Sequence, residues 1–444
     1  MSGSVLQRLD VAVRAATAQR VGRISAVLGL VVEVVGVQAA VGDLLLLAST
    51  NGLDGVPAEV VGITADRVRC MPLGEVEGLR AGDPVFGSGD GLRIRVGEDL
   101  LGRVLDGLGQ PVDGGIALRG DLVGVNHRAP QALLRQRVDS PISLGVRALD
   151  TLVPAGRGQR LGIFAGSGVG KSSLLSMIAR GTSASISVLA LVGERGREVR
   201  EFVEGDLGEA GLARSVVVVA TSDAPAVTRL RAAFVATRIA EWFRDGGLDV
   251  LLMMDSLTRV AMAQREIGLS NGEPPATRGY PPSTFALLPK LLERAGPGEH
   301  GTITGIYTVL VDGDDHNEPI ADAARSILDG HITLSRRLAT AGHFPTIDVL
   351  ESVSRVSGAV TTPEQRAAST VLRRVLAAHR DARELIEVGA YAPGADPDVD
   401  AALVHWDAVN AFLRQPLEDT VSSQTAWSHL TAIVSALLEA GARP

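Results

Sequence analysis

Five stretches of the chain are continuous apolar runs: GIFAG (162–166), SVLALVG (187–193), SVVVVAT (215–221), DVLLMMD (249–255) and TITGIYTVLV (302–311). Each ends in a polar or glycine-rich turn. A strand with one wet face alternates apolar and polar residues, whereas an unbroken apolar run is buried on both faces. Helix-patterned stretches such as KSSLLSMIARG and VTRLRAAFVATRIAEWFRDGG separate these runs. That alternation predicts an α/β fold, a mostly parallel sheet covered by helices.

The rest of the 444 residues reads differently. Between residues 19 and 88 the runs VGRISAVLGLVVEVVGV, GDLLLLAS, PAEVVGIT and DRVRCMPLG are short, rich in Val, Leu and Ile, and punctuated by Gly, Pro and Asp. Such spacing predicts a small β-barrel. Ahead of it, SVLQRLDVAVRAATA places Val5, Leu6, Leu9, Val13 and Ala16 near one helical face. That helix either folds onto its own barrel or docks a partner. From TPEQRAASTVLRRVLAAHR onward the pattern is mostly helical. The expected organisation is an N-terminal helix (1–18), a barrel (19–90), an α/β domain (91–357) and a C-terminal helical domain (358–444).

Composition removes several function classes. The formal net charge is -8, and the first aromatic residue of the chain is Phe86. A barrel without a platform of rings and an acidic chain both argue against nucleic-acid binding. The single cysteine, Cys70, permits neither an intramolecular disulfide nor a thiolate cluster, and its apolar–polar surroundings make it a packing residue. No H-E-x-x-H occurs among the eight histidines. Charges interrupt the apolar residues at the N-terminus, unlike a secretion signal, and no segment is apolar for long enough to span a membrane. A cytoplasmic location is expected.

Arginine dominates the 43 basic residues, and only Lys171 and Lys290 are lysine. Lys171 lies in AGSGVGKSSLL, where a buried strand turns through glycines into an apolar helix. This is the context that the phosphate-loop motif G-x-x-x-x-G-K-[ST] requires, with Ala165 in place of its first glycine. Gly166, Ser167, Gly168, Val169 and Gly170 would wrap an anion with inward N–H groups, and Lys171, Ser172 and Ser173 would open the helix whose positive end faces it. A compact ammonium fits between β- and γ-phosphates where a planar guanidinium does not, so an arginine-rich chain still needs Lys171. The Ser172 hydroxyl is a ligand for Mg2+.

Hydrolysis also needs a metal anchor, a group to activate water and positive charge for the transition state. Asp255 closes an apolar strand, where a carboxylate faces the ligand crevice of an open sheet. It is read as a Mg2+ anchor through water, with a helix N-cap before SLTR as the other reading. Glu194, in VGERGREV, closes another strand and is the candidate base for water, unless it only pairs with a surface arginine. DGDDH (312–316) lacks the residues of a calcium loop at His316 and Asn317 and is expected in a strand-end loop near the site.

AGSGVGKSSLL, LVGERGREVREF, MDSLTRVAMAQREIGL, GEPPATRGYPPSTFALLPKLLERAG, GDDHNEPIADAARSILDGHITLSRRLA and GHFPTIDVLESVSRV together resemble the type III protein-export ATPase family, relatives of the rotary ATP synthase α and β subunits. The likeness spans roughly residues 20–400 and is nearest the flagellar branch, with the injectisome branch second. It implies Mg2+-dependent ATP hydrolysis by a RecA-like domain in a homohexameric ring. Glu194, with Arg195 beside it, matches the catalytic carboxylate, and Arg259 matches an arginine near the γ-phosphate. Arg355, in SVSRV, matches an arginine finger inserted into the neighbouring subunit, a position that by itself would read as a surface ion pair. Phe344 stands where the family usually has tyrosine, to stack on adenine, with Tyr391 on the other side and Thr346 replacing a small residue. The family reading gives residues 1–18 to a stator-like flagellar regulator and the C-terminal domain to chaperone–substrate complexes, at the export gate of the inner membrane. A catalytic subunit of a rotary ATP synthase and an RNA translocase are competing readings. A non-catalytic ring subunit would be expected to lack Lys171, Glu194 or Arg355.

Overall fold

The structure, a computed structural model, describes residues 21–48, 55–311 and 318–443. The expected N-terminal helix (1–18) and the DGDDH segment (312–316) lie outside these residues.

Six antiparallel strands close a barrel: β1 (Gly22–Leu28), β2 (Val31–Val35), β3 (Asp43–Leu47), β4 (Val56–Ile63), β5 (Val68–Pro72) and β6 (Pro84–Gly91), in the order β1-β2-β5-β4-β3-β6. Leu28 faces Val31, so Gly29 and Leu30 alone make the first hairpin, and Gly29 takes the positive φ of 59° that such a turn demands. Alternation fills the barrel. Leu45 and Leu47 point inward with Ile24, Val32, Val34, Val60 and Val85, while Leu46 points out. Cys70 is fully buried among them and donates to the Val32 carbonyl at 3.5 Å, and burial pushes its thiol up to about 12. It is the packing residue that the sequence suggests.

Beyond the barrel, β7 (Arg93–Val96) pairs with β9 (Asp121–Gly124), and β10 (Pro141–Ile142) with β11 (Ala155–Gly156). The central sheet is built from β8 (Val104–Asp106), β12 (Arg160–Ala165), β13 (Ile186–Val192), β14 (Ser215–Ala220), β15 (Asp249–Asp255), β17 (Thr302–Leu310), β18 (Gly330–Leu334) and β19 (Ile347–Ser354), with the two-residue β16 (Gly296–Pro297) beside β17. Their order is β19-β18-β12-β17-β15-β13-β14-β8, parallel throughout except that β19 runs against β18. The five apolar runs are five of the central strands. All seven residues of β13 are buried, as a strand covered on both faces must be.

Helices Lys171–Gly181, Ala226–Asp245 and Leu257–Ser270 make the crossovers. The barrel is fastened to the sheet by Arg231, which grips Glu59 with both arms of its guanidinium, and by Thr228, whose hydroxyl donates to the Leu73 carbonyl at 3.1 Å. Three long helices finish the chain: Pro363–Glu387, Pro397–Leu413 and Ser423–Glu439. Each begins on a polar cap, Thr362 in a reciprocal capping box with Gln365, then Asp396 and Ser422.

Candidate active site

Parallel strands converge their C-terminal ends on one crevice. At the end of β12, Gly168 and Gly170 take φ of 74° and 93°, and Gly170 is the last residue before the Lys171–Gly181 helix. Those two glycines turn the chain so that it enters the helix with its amide groups free for an anion. Val169, between them, is buried and anchors the loop, while Ser167, Ser172 and Ser173 are exposed at its mouth. Gly166 is buried at the strand end.

The strand ends deliver the charged groups. Lys171 Nζ bonds Asp255 Oδ1 and lies 3.4 Å from Glu194 Oε1. All three side chains are nearly enclosed, 13% exposed for Lys171, 12% for Glu194 and 8% for Asp255. Asp255 also accepts from the Thr308 hydroxyl of β17 at 2.6 Å. Ser256, not Asp255, caps the following helix, accepting from the Arg259 N–H at 3.3 Å. The carboxylate instead turns to Lys171 and Thr308 in the crevice, and the capping alternative is removed. Glu194 is held above the ordinary glutamate range, chiefly by burial; Lys171 opposes this, and Asp255 and a hydrogen bond with Glu198 add to it. Gly193, at φ 72°, lets Arg259 pack against the backbone just before Glu194, and a Cβ there would meet the arginine stem at 3.0 Å. The Arg259 Nε is buried without a hydrogen-bond partner among the described residues.

Three expected residues lie away from this cluster. Arg195 is mostly exposed and bonds Glu198 Oε1 at 3.2 Å, so it reaches Glu194 only through Glu198. Arg355 stands at the opposite end of the strands, where its backbone N–H donates to the Asp329 carbonyl at 3.0 Å beside Arg160, the first residue of β12. The length of β12, roughly 17 Å at ~3.3 Å per residue, separates it from the phosphate loop of its own chain. Tyr391 spends its hydroxyl on the Asp396 backbone and on Asp400 Oδ1 at 3.0 Å, and makes no ring contact with Phe344 among the described residues.

Phe344 does border the loop. Its ring is 49% exposed, and a Cβ on Gly170 would lie 3.7 Å from it. Two residues on, the Thr346 hydroxyl donates to the Val169 carbonyl at 2.5 Å, and the Phe344 carbonyl accepts from the Gln415 N–H at 3.0 Å. Thr308 and Gln415 were not singled out from the sequence. Thr308 carried a signal, a hydroxyl inside an apolar run, whereas Gln415 carried none.

The donor set fits Mg2+ in a phosphate site. No cluster of three or more His, Cys, Asp or Glu side chains suited to a metal exists among the described residues. An ion that keeps its waters and takes substrate phosphates needs only one or two protein oxygens, which the exposed Ser172 hydroxyl and the Asp255 carboxylate would supply.

Comparison with known proteins follows the same division of the chain. Residues 24–89 match the β-barrel domain of the ATP synthase alpha/beta family, residues 145–354 its nucleotide-binding domain, and residues 361–432 the T3SS EscN ATPase C-terminal domain. The chain is 49% identical over 418 residues to the flagellum-specific ATP synthase of Bacillus subtilis strain 168, covering 94% of this chain and 95% of the relative. The chain belongs to the type III secretion and flagellar ATPase family. This ATPase is equally, 49%, identical over 419 residues to the type 3 secretion system ATPase of Xanthomonas euvesicatoria, covering 94% and 95% of the two chains. The assembled ATPase EscN of enteropathogenic E. coli shares its fold at a TM-score of 0.88 and 46% identity, over 93% of this chain and 100% of that one. No described helix of the ATPase is long and apolar enough to cross a membrane.

Proposed function

We propose that this ATPase hydrolyses Mg-ATP in a ring of six of its own copies, and that it energises flagellar type III protein export. One observation carries the reading: a lysine–carboxylate cluster at the C-terminal ends of the central strands, and, at their other end, Arg355, which pairs with no carboxylate among the described residues. Within a ring, the finger edge of one copy meets the nucleotide edge of the next.

In this reading Lys171 leaves its carboxylates for the β- and γ-phosphates when nucleotide enters. Ser172, and Asp255 through a water, would hold Mg2+, which would supply neutralising charge at the phosphate oxygens. Glu194 takes a proton from the attacking water as its oxygen bonds the γ-phosphorus. The bond to the β,γ-bridging oxygen breaks, its electron pair leaves with ADP, and inorganic phosphate remains. Arg259 and the neighbour's Arg355 face the charge that spreads over the equatorial oxygens. Arg195 steadies Glu198 beside the base. Phe344 offers adenine a face, and Tyr391 braces the loop before the Pro397–Leu413 helix.

Residues 1–18 are assigned to a stator-like flagellar regulator and the C-terminal helices to chaperone–substrate complexes. The location proposed is cytoplasmic, peripheral to the membrane export gate, and RNA is not expected to stimulate turnover. The injectisome is the second reading, favoured by the equal identity to the Xanthomonas protein. Deleting the gene should abolish flagellar export in the first reading and spare it in the second. The ring reading is tested with Arg355→Ala, which should bind Mg-ATP normally yet lose ~10³-fold or more in turnover. Mixing it with Lys171→Ala subunits should restore part of the rate. Wild-type turnover by Arg355→Ala alone would refute the assignment.

A further inference from the structure

We infer that Asp329, gripped by Arg160, is a positioning residue that sets where Arg355 projects toward the adjoining copy; the inference rests on the trans reading of Arg355. Among the described residues, the donors of Arg355 make two fixed contacts. Its backbone N–H reaches the Asp329 carbonyl at 3.0 Å, and its Nη2 reaches the Arg325 carbonyl at 3.2 Å. No carboxylate among the described residues pairs with it, so the guanidinium keeps its charge for something outside the protomer.

Asp329, by contrast, is held from every side. Arg160 donates to its carboxylate through Nε at 2.9 Å and Nη2 at 3.1 Å, and through its backbone N–H at 3.1 Å. The Asp329 N–H returns a bond to the Arg160 carbonyl at 2.8 Å. Gln159, fully buried, donates through one Nε2 to both the Asp329 carbonyl at 3.0 Å and the Ser354 hydroxyl at 3.1 Å. The residue before the arginine and the arginine's own backbone therefore hang from one anchor. Arg160 is steadied in turn by Glu293 at 2.5 Å. A forked guanidinium–carboxylate pair fixes direction as well as distance. That matters because a reacting group misplaced by ~1 Å can lose about 10²-fold in rate.

An ion pair that merely stapled the strand to its own sheet would weaken folding, ring formation or nucleotide binding when broken. A positioning pair would leave those intact and lower turnover in the neighbour. Asp329→Asn removes the charge that Arg160 grips, and Arg160→Lys keeps the cation but loses the fork. Each variant, as assembled full-length protein, should show kcat lowered ~10- to 100-fold with KM and Mg-ATP Kd unchanged. Subunits carrying Lys171→Ala, whose Arg355 and anchor are intact, should rescue either variant in mixed rings. Should Asp329→Asn fail to fold, Arg160→Lys carries the same test. Unchanged kcat in Arg160→Lys overturns the inference, as does a loss that Lys171→Ala subunits cannot rescue although they rescue Arg355→Ala. If they fail to rescue Arg355→Ala as well, the trans reading itself is what falls.

Discussion

Glu194 is the residue whose environment works against its ordinary charge state. Burial, helped by Asp255 and Glu198, raises its pKa, and Lys171 and Arg259 only partly offset this. A carboxyl raised in the folded state binds its proton more tightly folded than unfolded. Its contribution to stability is thus present below the ordinary glutamate range and is lost as pH rises through the raised value. The surroundings of the nucleotide-free protein thus disfavour the ionised form of Glu194, which gives it the raised proton affinity that a water-activating base requires. Glu194→Gln should therefore lower ATP turnover by ~10²–10⁴-fold while leaving the nucleotide-free melting temperature at pH 7 unchanged or higher. Calorimetry between pH 5 and 8, paired with a phosphate-release assay, reads both. A variant melting several degrees lower at pH 7 would mean that the Lys171 contact stabilises Glu194 more than burial costs it.

At the scale of elements, the phosphate loop is held by a strand that lies far from it in sequence. The Thr346 hydroxyl, just before β19, binds the Val169 carbonyl, and Thr346 is 1% exposed. Thr346→Val keeps the shape and removes the donor, leaving a loop carbonyl short of a partner. We expect a stability loss of ~1–2 kcal/mol and a several-fold weaker Mg-ATP Kd, measured by denaturant titration and by nucleotide titration. An unchanged Kd would show that the loop keeps its form without the tether. The same pairing marks what sequence could disclose. Strands β12, β13, β14, β15 and β17 were legible because burial on both faces leaves an unbroken apolar run, and Lys171, Glu194 and Asp255 were legible because each follows such a run. The three-residue edge strand β8 has too little pattern to read, and β19 mixes buried and exposed positions. The bonds from Thr346 to Val169 and from Thr308 to Asp255 join segments that only the folded chain brings together. Arg195 and Tyr391 came from motif likeness, which carries no direction for a side chain, and the structure turns both toward other partners.

At the scale of the whole molecule, the C-terminal helices are bolted to the nucleotide domain close to the loop they would report on. Gln415, 3% exposed, lies just past the Pro397–Leu413 helix. Its Oε1 accepts from the Arg147 N–H at 2.9 Å, and its Nε2 donates to the Gly145 carbonyl at 2.8 Å and the Asp419 carbonyl at 2.9 Å. Its backbone N–H holds the Phe344 carbonyl at 3.0 Å. Arg147 answers from the other side, with Nε on the Phe412 carbonyl at 3.0 Å. One residue, through its side-chain amide and its backbone N–H, thus joins the start of the nucleotide domain, the turn that carries Phe344 and the C-terminal helices. Gln415→Ala would leave the buried Gly145 carbonyl and the half-buried Arg147 N–H and Asp419 carbonyl without this partner, at ~1–3 kcal/mol for a fully buried group and less for the others, so the docked arrangement should lose about 2–4 kcal/mol. Because the protein has several domains, that loss should appear as an earlier, separate transition of the C-terminal helices rather than as a shift of one midpoint. The Phe344 turn keeps its backbone tie, but the residue that makes the tie loses the side-chain bonds that held it in place. ATP should then bind about 10-fold more weakly, with kcat at saturation little changed, the pattern of lost ground-state binding. A fall in kcat at constant Kd would instead place Gln415 on the route to the transition state, and no change in either would leave it a bolt of the fold alone.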